Sequence, residues 1–312
     1  MILVVLIVCL VLVISMLAYV SAAFYLADRL THTKRQRVQG TPIDLGLHFQ
    51  DVQFLTFDRL TLNGWFVKSP EARATVVLVH DRLGTRADVE QGLLKLHGDY
   101  VRHGFNVLSF DLRGRGESSG CRDHLGSREH HDLDAALDYL WKQENQLPVV
   151  LHGFGFGAAL AIKVASRRSG IAGIIADSPV ASVREMLRFQ HSHIPAYMFE
   201  TAHWFARWFF DADLDELKPI DIINQVEAPV LLLCAEIDNE VPESHALNLA
   251  AASLNRDHQI WVAPQHKGHC SYYIQHSVEY VNRSVSFIDH VVPIRILPVT
   301  SDLAEARPTR AS

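Results

Sequence analysis

The segment Leu151-His152-Gly153-Phe154-Gly155-Phe156-Gly157 sets three glycines at alternate positions, between an apolar run and an alanine-rich stretch. Such spacing lets a strand turn into a helix within a few residues while other backbone packs closely against it. The frame is that of a nucleophile elbow, G-x-S-x-G, whose serine stands at the tip of a strained strand-to-helix turn. Here Gly155 holds the central position. Glycine tolerates that backbone and carries no nucleophilic atom, so no acyl-enzyme forms at position 155.

The elbow is one unit of a longer alternation. Short apolar runs fall at 75–79, 106–110, 148–151, 171–176, 230–234 and 259–262, with helical stretches between most of them, among them 88–103, 128–143, 156–166 and 243–253. This rhythm predicts an α/β fold: a mainly parallel sheet with helices on both faces. Residues 52–57 and 60–67 are β-rich with polar interruptions and predict an opening antiparallel pair. The stretch 180–225 is too long for a simple crossover and reads as a helical cap over the strand ends. Its aromatics (Phe189, Tyr197, Phe199, Trp204, Phe205, Trp208, Phe209 and Phe210) admit three readings. They pack the cap onto the core, line an apolar ligand pocket, or dip into a nearby membrane surface.

Residues 1–27 contain no charged side chain and are dominated by Leu, Val, Ile and Ala, which is long enough to cross a hydrocarbon layer as a helix. Arg29, Lys34, Arg35 and Arg37 follow at once, so the positive-inside rule places the remainder in the cytoplasm. Val20-Ser21-Ala22 resembles a cleavage site, but the apolar stretch is long for a signal peptide and lacks a basic region before it. A buried core helix of this length rarely lacks a polar face. The organisation expected is therefore an anchor (1–27), a juxtamembrane linker (28–46), an α/β domain (47–292) with its cap at 180–225, and a disordered tail (293–312).

Net charge is −6, which leaves no nucleic-acid footprint. Cys9, Cys121, Cys234 and Cys270 show no paired spacing, which argues against a disulfide framework or a zinc site. His130/His131, His191/His193 and His266/His269 form no metal motif, so neither metal nor cofactor is expected.

Further pieces stand in order along the chain: Val79-His80-Asp81-Arg82-Leu83-Gly84, Phe110-Asp111-Leu112-Arg113-Gly114-Arg115-Gly116-Glu117-Ser118, the elbow frame, Asp177-Ser178-Pro179, Ala235-Glu236-Ile237-Asp238-Asn239-Glu240-Val241-Pro242 and Gly268-His269. This order resembles the α/β-hydrolase family, and most nearly its serine-aminopeptidase-like and Bem46-like branch, over roughly residues 45–290. The resemblance implies a catalytic site in which His269 is the general base, Asp238 orients it, and position 155 is the nucleophile position. It implies an oxyanion hole from the loop after His80, at Asp81, and from the Phe156 amide. It gives Asp111, Arg113 and Gly114 a structural turn. The physical logic agrees: a buried carboxylate fixes an imidazole tautomer, and amides at a helix N-terminus stabilise an oxyanion.

The chain departs from that pattern twice. Gly155 lacks the nucleophile, and Asp81 stands where glycine is usual, bringing a negative charge toward the oxyanion loop. The first expectation is thus loss of acyl-enzyme chemistry, with an acyl or ester-like ligand or a partner bound in the old cleft. The second is a hydrolase of small esters, amides or lipids that uses water or another nucleophile with His269 and Asp238. Ser109, Ser118, Ser178 and Ser271 lack the elbow context, and Cys270 is expected to diverge from its neighbour His269. A third reading takes Gly153–Ala158 as G-x-G-x-x-A, with Asp177 as the ribose-binding acid of a dinucleotide site. Against it, the fingerprint normally follows the first strand of its sheet unit.

Overall fold

The computed structural model describes residues 1–142 and 147–292, so the expected disordered tail at 293–312 lies outside the described residues. The chain opens with helix α1 (Ile2–Thr31), followed by strands β1 (Phe49–Leu55), β2 (Thr61–Val67) and β3 (Ala74–Val79). Then come α2 (Leu93–Arg102), β4 (Phe105–Phe110), α3 (His130–Trp141), β5 (Val149–Phe154), α4 (Phe156–Ala165) and β6 (Ile171–Asp177). Helices α5 (Val183–Gln190) and α6 (Ala196–Phe210) fill the long insertion, and β7 (Val230–Ile237), α7 (Ser244–Ala252), β8 (Gln259–Lys267), α8 (Tyr272–Gln275) and α9 (Ser277–Val291) complete the fold.

The strands form one eight-stranded sheet in the order β1-β2-β4-β3-β5-β6-β7-β8. β1 pairs antiparallel with β2 and β2 antiparallel with β4; every later pairing is parallel. The expected opening hairpin and parallel sheet are both present. Period-two alternation divides the central strands between two apolar layers. Val77, Val79 and Leu151 face the layer holding α3, α4 and α5. Val76, Leu78 and Val150 face the layer holding α2 and α9.

Helix α2 begins at Leu93 rather than near 88, because Gly92 takes a left-handed φ of 72° and residues 88–92 close a turn capped by the Asp88 carboxylate. Helix α9 was not among the expected helices. Its valines and serines are poor helix formers, but Tyr280, Ser284, Phe287 and Ile288 bury one face at i, i+4, i+7 and i+8. Tertiary burial decides that segment.

Beyond β4, the turn bearing Asp111 and Arg113 is tied by ionic groups. Asp111 Oδ1 accepts the Arg86 N–H at 2.8 Å, and Oδ2 accepts the Glu117 N–H at 2.9 Å. The buried Arg113 guanidinium holds Asp132 and Asp58 together. Burial raises Asp132 to about 7 even against that guanidinium.

α1 is the one described helix long and apolar enough to be a candidate membrane span. Its N-terminal turns stand exposed, while Ala23, Ala27 and Leu30 are buried in the domain. The segment after α1 is pinned rather than loose. Arg122 bonds Asp28 and Thr31, and Arg35 reaches the carbonyls of Gly116, Ser118 and Gly120.

Candidate functional site

The carboxyl ends of β3, β5, β7 and β8 carry the loops that build the site, the usual place for a ligand in an open parallel sheet. β5 ends at Phe154 and α4 starts at Phe156, so the chain reverses through Gly155, whose φ is 51° and ψ −110°. A Cβ on Gly153 would lie 2.5 Å from Ala158 Cα, and one on Gly157 would lie 2.6 Å from the His80 carbonyl oxygen. Those two glycines are packing requirements. A Cβ on Gly155 points elsewhere, into the site: it would collide with Asp81 Oδ1 and stand 2.7 Å from His269 Nε2.

The structure brings Gly155, Asp81, Phe156, Asp238 and His269 together. Asp238 Oδ2 accepts the His269 Nδ1–H at 2.7 Å. Asp238 Oδ1 accepts the N–H groups of Glu240 at 2.8 Å and Val241 at 2.9 Å, which fixes the carboxylate in place. Asp81 Oδ1 accepts the Phe156 N–H at 2.7 Å, and Oδ2 lies 3.7 Å from His269 Nε2. The first amide of α4 thus holds the Asp81 carboxylate at the helix N-terminus, where a negative charge is favoured. The preceding His80 is buried and structural. Its Nε2 accepts the Leu112 N–H at 3.0 Å, so Nδ1 carries the proton and donates to the Asp81 carbonyl at 2.7 Å.

The electrostatics follow from this cluster. Burial opposes charge on the His269 ring, but the Cys270 sulfur and the Asp238 and Asp81 carboxylates overcome it, and the pKa stands well above 6.5. Burial pushes the Cys270 thiol itself far up, so at neutral pH the sulfur is uncharged and the Asp238 and Asp81 carboxylates are the groups that favour charge on the His269 ring. Burial would raise Asp81, but contact with the His269 ring and the N–H groups of Phe156 and Arg82 hold it at about 2.

The stability consequence has two limbs. Asp81 has a lowered folded pKa, so its contribution is present above its ordinary 3.8 and lost as pH falls through about 2. His269 has a raised folded pKa, so its contribution is full below 6.5 and lost as pH rises through the higher folded value. Urea midpoints should therefore be greatest between about pH 4 and 6.5. Asp81→Asn should flatten the acid limb, which is worth on the order of 2 kcal/mol. An unchanged acid limb in the variant would refute the pairing.

Cys270 departs from expectation. Its φ of 47° turns the side chain back, so Sγ lies 3.4 Å from His269 Nε2 rather than diverging. It is nevertheless buried with its thiol protonated, which makes it a poor nucleophile. The serines are engaged elsewhere: Ser109 with His97, Ser118 with the Asp111 carbonyl, Ser178 with Asp177 and Ser271 with His266. Asp177 points inward, where it accepts the Tyr280 hydroxyl at 2.8 Å and burial raises it to about 6. Asp177 is thus engaged by Tyr280, and the Phe156 amide by Asp81, so neither group on which the dinucleotide reading relies is free in this structure.

Sequence reasoning missed Glu240 as a site group. Asp81, Glu240 and His269 bring one ligand atom each within 4.8 Å of one another, a set chemically able to hold a divalent cation once His269 loses its proton. The nearby cleft, of about 410 Å³, is lined by Arg37 and Gln39 from the segment after α1 and by Asp81, Leu83, Glu240 and His269.

The comparisons agree with this architecture. Residues 70–224 match the serine aminopeptidase, S33 family. The chain has the α/β-hydrolase fold. Lysophosphatidylserine lipase ABHD12 of Danio rerio is 30% identical over 192 residues, covering 57% of this chain and 47% of that protein. Protein YqkD of Bacillus subtilis is 26% identical over 190 residues, covering 59% of this chain and 61% of that protein. The matched region thus spans less than two thirds of either relative. The esterase Pf2001 of Pyrococcus furiosus shares the fold, with a TM-score of 0.70, 22% identity, and coverage of 84% of this chain and 98% of that one.

Proposed function

We propose that this chain is a membrane-anchored α/β-hydrolase-family protein that has lost acyl-enzyme chemistry, and that its cleft now binds a small acyl or ester-like ligand. The observation that carries this reading is the Asp81 carboxylate on the Phe156 amide. A fixed negative charge there opposes a second one developing on a substrate oxygen. Gly155 supplies no nucleophile. Those same facts weigh against the alternative, a hydrolase that activates water through His269. The carboxylates of Asp81 and Glu240 favour a ligand whose head carries N–H or O–H donors, with its apolar part toward the exposed Leu83 and Val89. An acyl-lipid ligand is in keeping with the name of the zebrafish relative.

The uncharged stretch 1–27, followed by Arg29, Lys34, Arg35 and Arg37, supports an anchor with the domain in the cytoplasm. Digestion of the domain by protease added outside intact cells would overturn that orientation. The activity test uses the full chain in detergent with p-nitrophenyl butyrate. The expected result is background hydrolysis that His269→Ala leaves unchanged. Turnover that His269→Ala abolishes would overturn the proposal and establish the water-based hydrolase.

A further inference from the structure

Helix α6 carries two faces. Phe199, Ala202, His203 and Ala206 are buried, and Phe205 and Phe210 are partly buried against the same core. Tyr197, Trp204 and Trp208 fall at i, i+7 and i+11 and share the opposite face. Trp204 is 53%, Trp208 69% and Phe209 60% exposed. A soluble surface rarely carries so many large aromatics together.

The same helix lies beside α1. The Tyr19 hydroxyl is 2.7 Å from Thr201 Oγ1, and the Phe24 ring packs against Phe205, Phe209 and Phe210 with centroids 5.5, 5.8 and 5.4 Å away. Below them, Arg122 bonds Asp28 and covers the Phe210 ring. These contacts fix the depth of α6. Asp28 and Arg29 end the uncharged stretch of α1, and at 1.5 Å per residue Phe24 lies about 6 Å and Tyr19 about 14 Å before Asp28. The Tyr19–Phe24 stretch therefore falls at the boundary between acyl chains and headgroups, where tryptophan and tyrosine concentrate. Between the two helices runs a groove of about 410 Å³ lined by Val20, Ser21, Phe24, Tyr25, Asp28 and Phe205.

We propose that α6 is an interfacial helix: it lies in the headgroup layer beside α1, seats Trp204, Trp208 and Phe209 among lipid acyl chains, and takes lipid into the α1–α6 groove. The inference rests on the anchor reading above. It replaces a domain swinging on a linker with one held flat against the bilayer by a second element.

Tryptophan quenching by lipids tests this. The full chain is reconstituted in phosphatidylcholine vesicles, with and without bromine on the acyl chains near the glycerol backbone. α1 contains no tryptophan, and the other three, Trp65, Trp141 and Trp261, belong to β2, α3 and β8. Bromolipid should quench the wild-type emission, and Trp204→Phe/Trp208→Phe should lose more than half of that quenching. Both side chains are exposed, so the substitution leaves the core intact. Equal emission in the two vesicle types, or quenching unchanged in the double variant, would overturn the proposal. Alkaline carbonate extraction separates the two readings. A protein released from vesicles overturns the anchor and the interfacial helix together, whereas one that is retained but unquenched overturns only the helix.

Discussion

Gly155→Ser alone should leave the protein inactive toward esters, whereas Gly155→Ser with Asp81→Gly should make it an esterase. A side chain at position 155 projects onto the Asp81 carboxylate, so the single variant places its hydroxyl in occupied space. It also leaves the Phe156 amide occupied by Asp81. Removing the carboxylate clears the space, frees the amide for an oxyanion, and leaves His269 hydrogen-bonded to Asp238. An oxyanion-hole donor is worth about 10²–10³ in rate, and intact base function adds to it. The double variant should therefore exceed either single variant by at least about 10³-fold toward p-nitrophenyl butyrate. It should also take up a fluorophosphonate on position 155. A Gly155→Ser single variant with comparable turnover would show that Asp81 does not block the site. The single variant should also be less stable by about 1–3 kcal/mol, because its φ of 51° is strained for a residue with a Cβ.

Arg113→Ala should be the most destabilising of the substitutions considered, at about 3–5 kcal/mol. The Arg113 side chain is almost wholly buried, and so is its partner Asp132. Nε and Nη2 donate to Asp132 Oδ1 at 2.9 and 2.7 Å, and Nη1 donates to Asp58 at 2.8 Å. Removing the guanidinium strands the Asp132 carboxylate without its cation in a site that already raises its pKa to about 7. Asp58, held at about 2 despite partial burial, loses the Arg113 hydrogen bond that lowers it. Replacing both members, Arg113→Met with Asp132→Leu, should cost less than the single change, because neither leaves an unpaired charge. Urea unfolding of the detergent-solubilised protein measures both. A loss under about 1 kcal/mol for Arg113→Ala would mean that the pair does not hold this turn.

Much of the framework is legible in the residues. The apolar runs at 75–79, 106–110 and 171–176 lie within β3, β4 and β6 because central parallel strands are buried on both faces and need uninterrupted apolar sequence. Gly153 and Gly157 are legible because backbone crosses them too closely for a Cβ. The candidate site was readable as an order of pieces, His80-Asp81, Gly155, Asp238 and His269, since each follows a strand and parallel strands deliver their ends to one edge. Helix α9 was hidden because its intrinsic propensity is poor and its stability comes from the sheet it covers. The proximity of Cys270 to His269 was hidden because it depends on a left-handed backbone at one residue.

The sequence by itself determined the layered α/β fold, the apolar N-terminal helix and the lack of a nucleophile at position 155. Those follow from local periodicity and residue identity, which need no partner. Only the tertiary structure decided what Asp81 does. A carboxylate on a loop has no assigned role until a fold sets it 2.7 Å from a helix-terminal amide and beside the His269 ring. The same holds for α6, whose aromatics meet α1 only through the fold. Both outcomes are long-range contacts between segments 75 or more residues apart, and such contacts are set by packing and burial rather than by any local pattern.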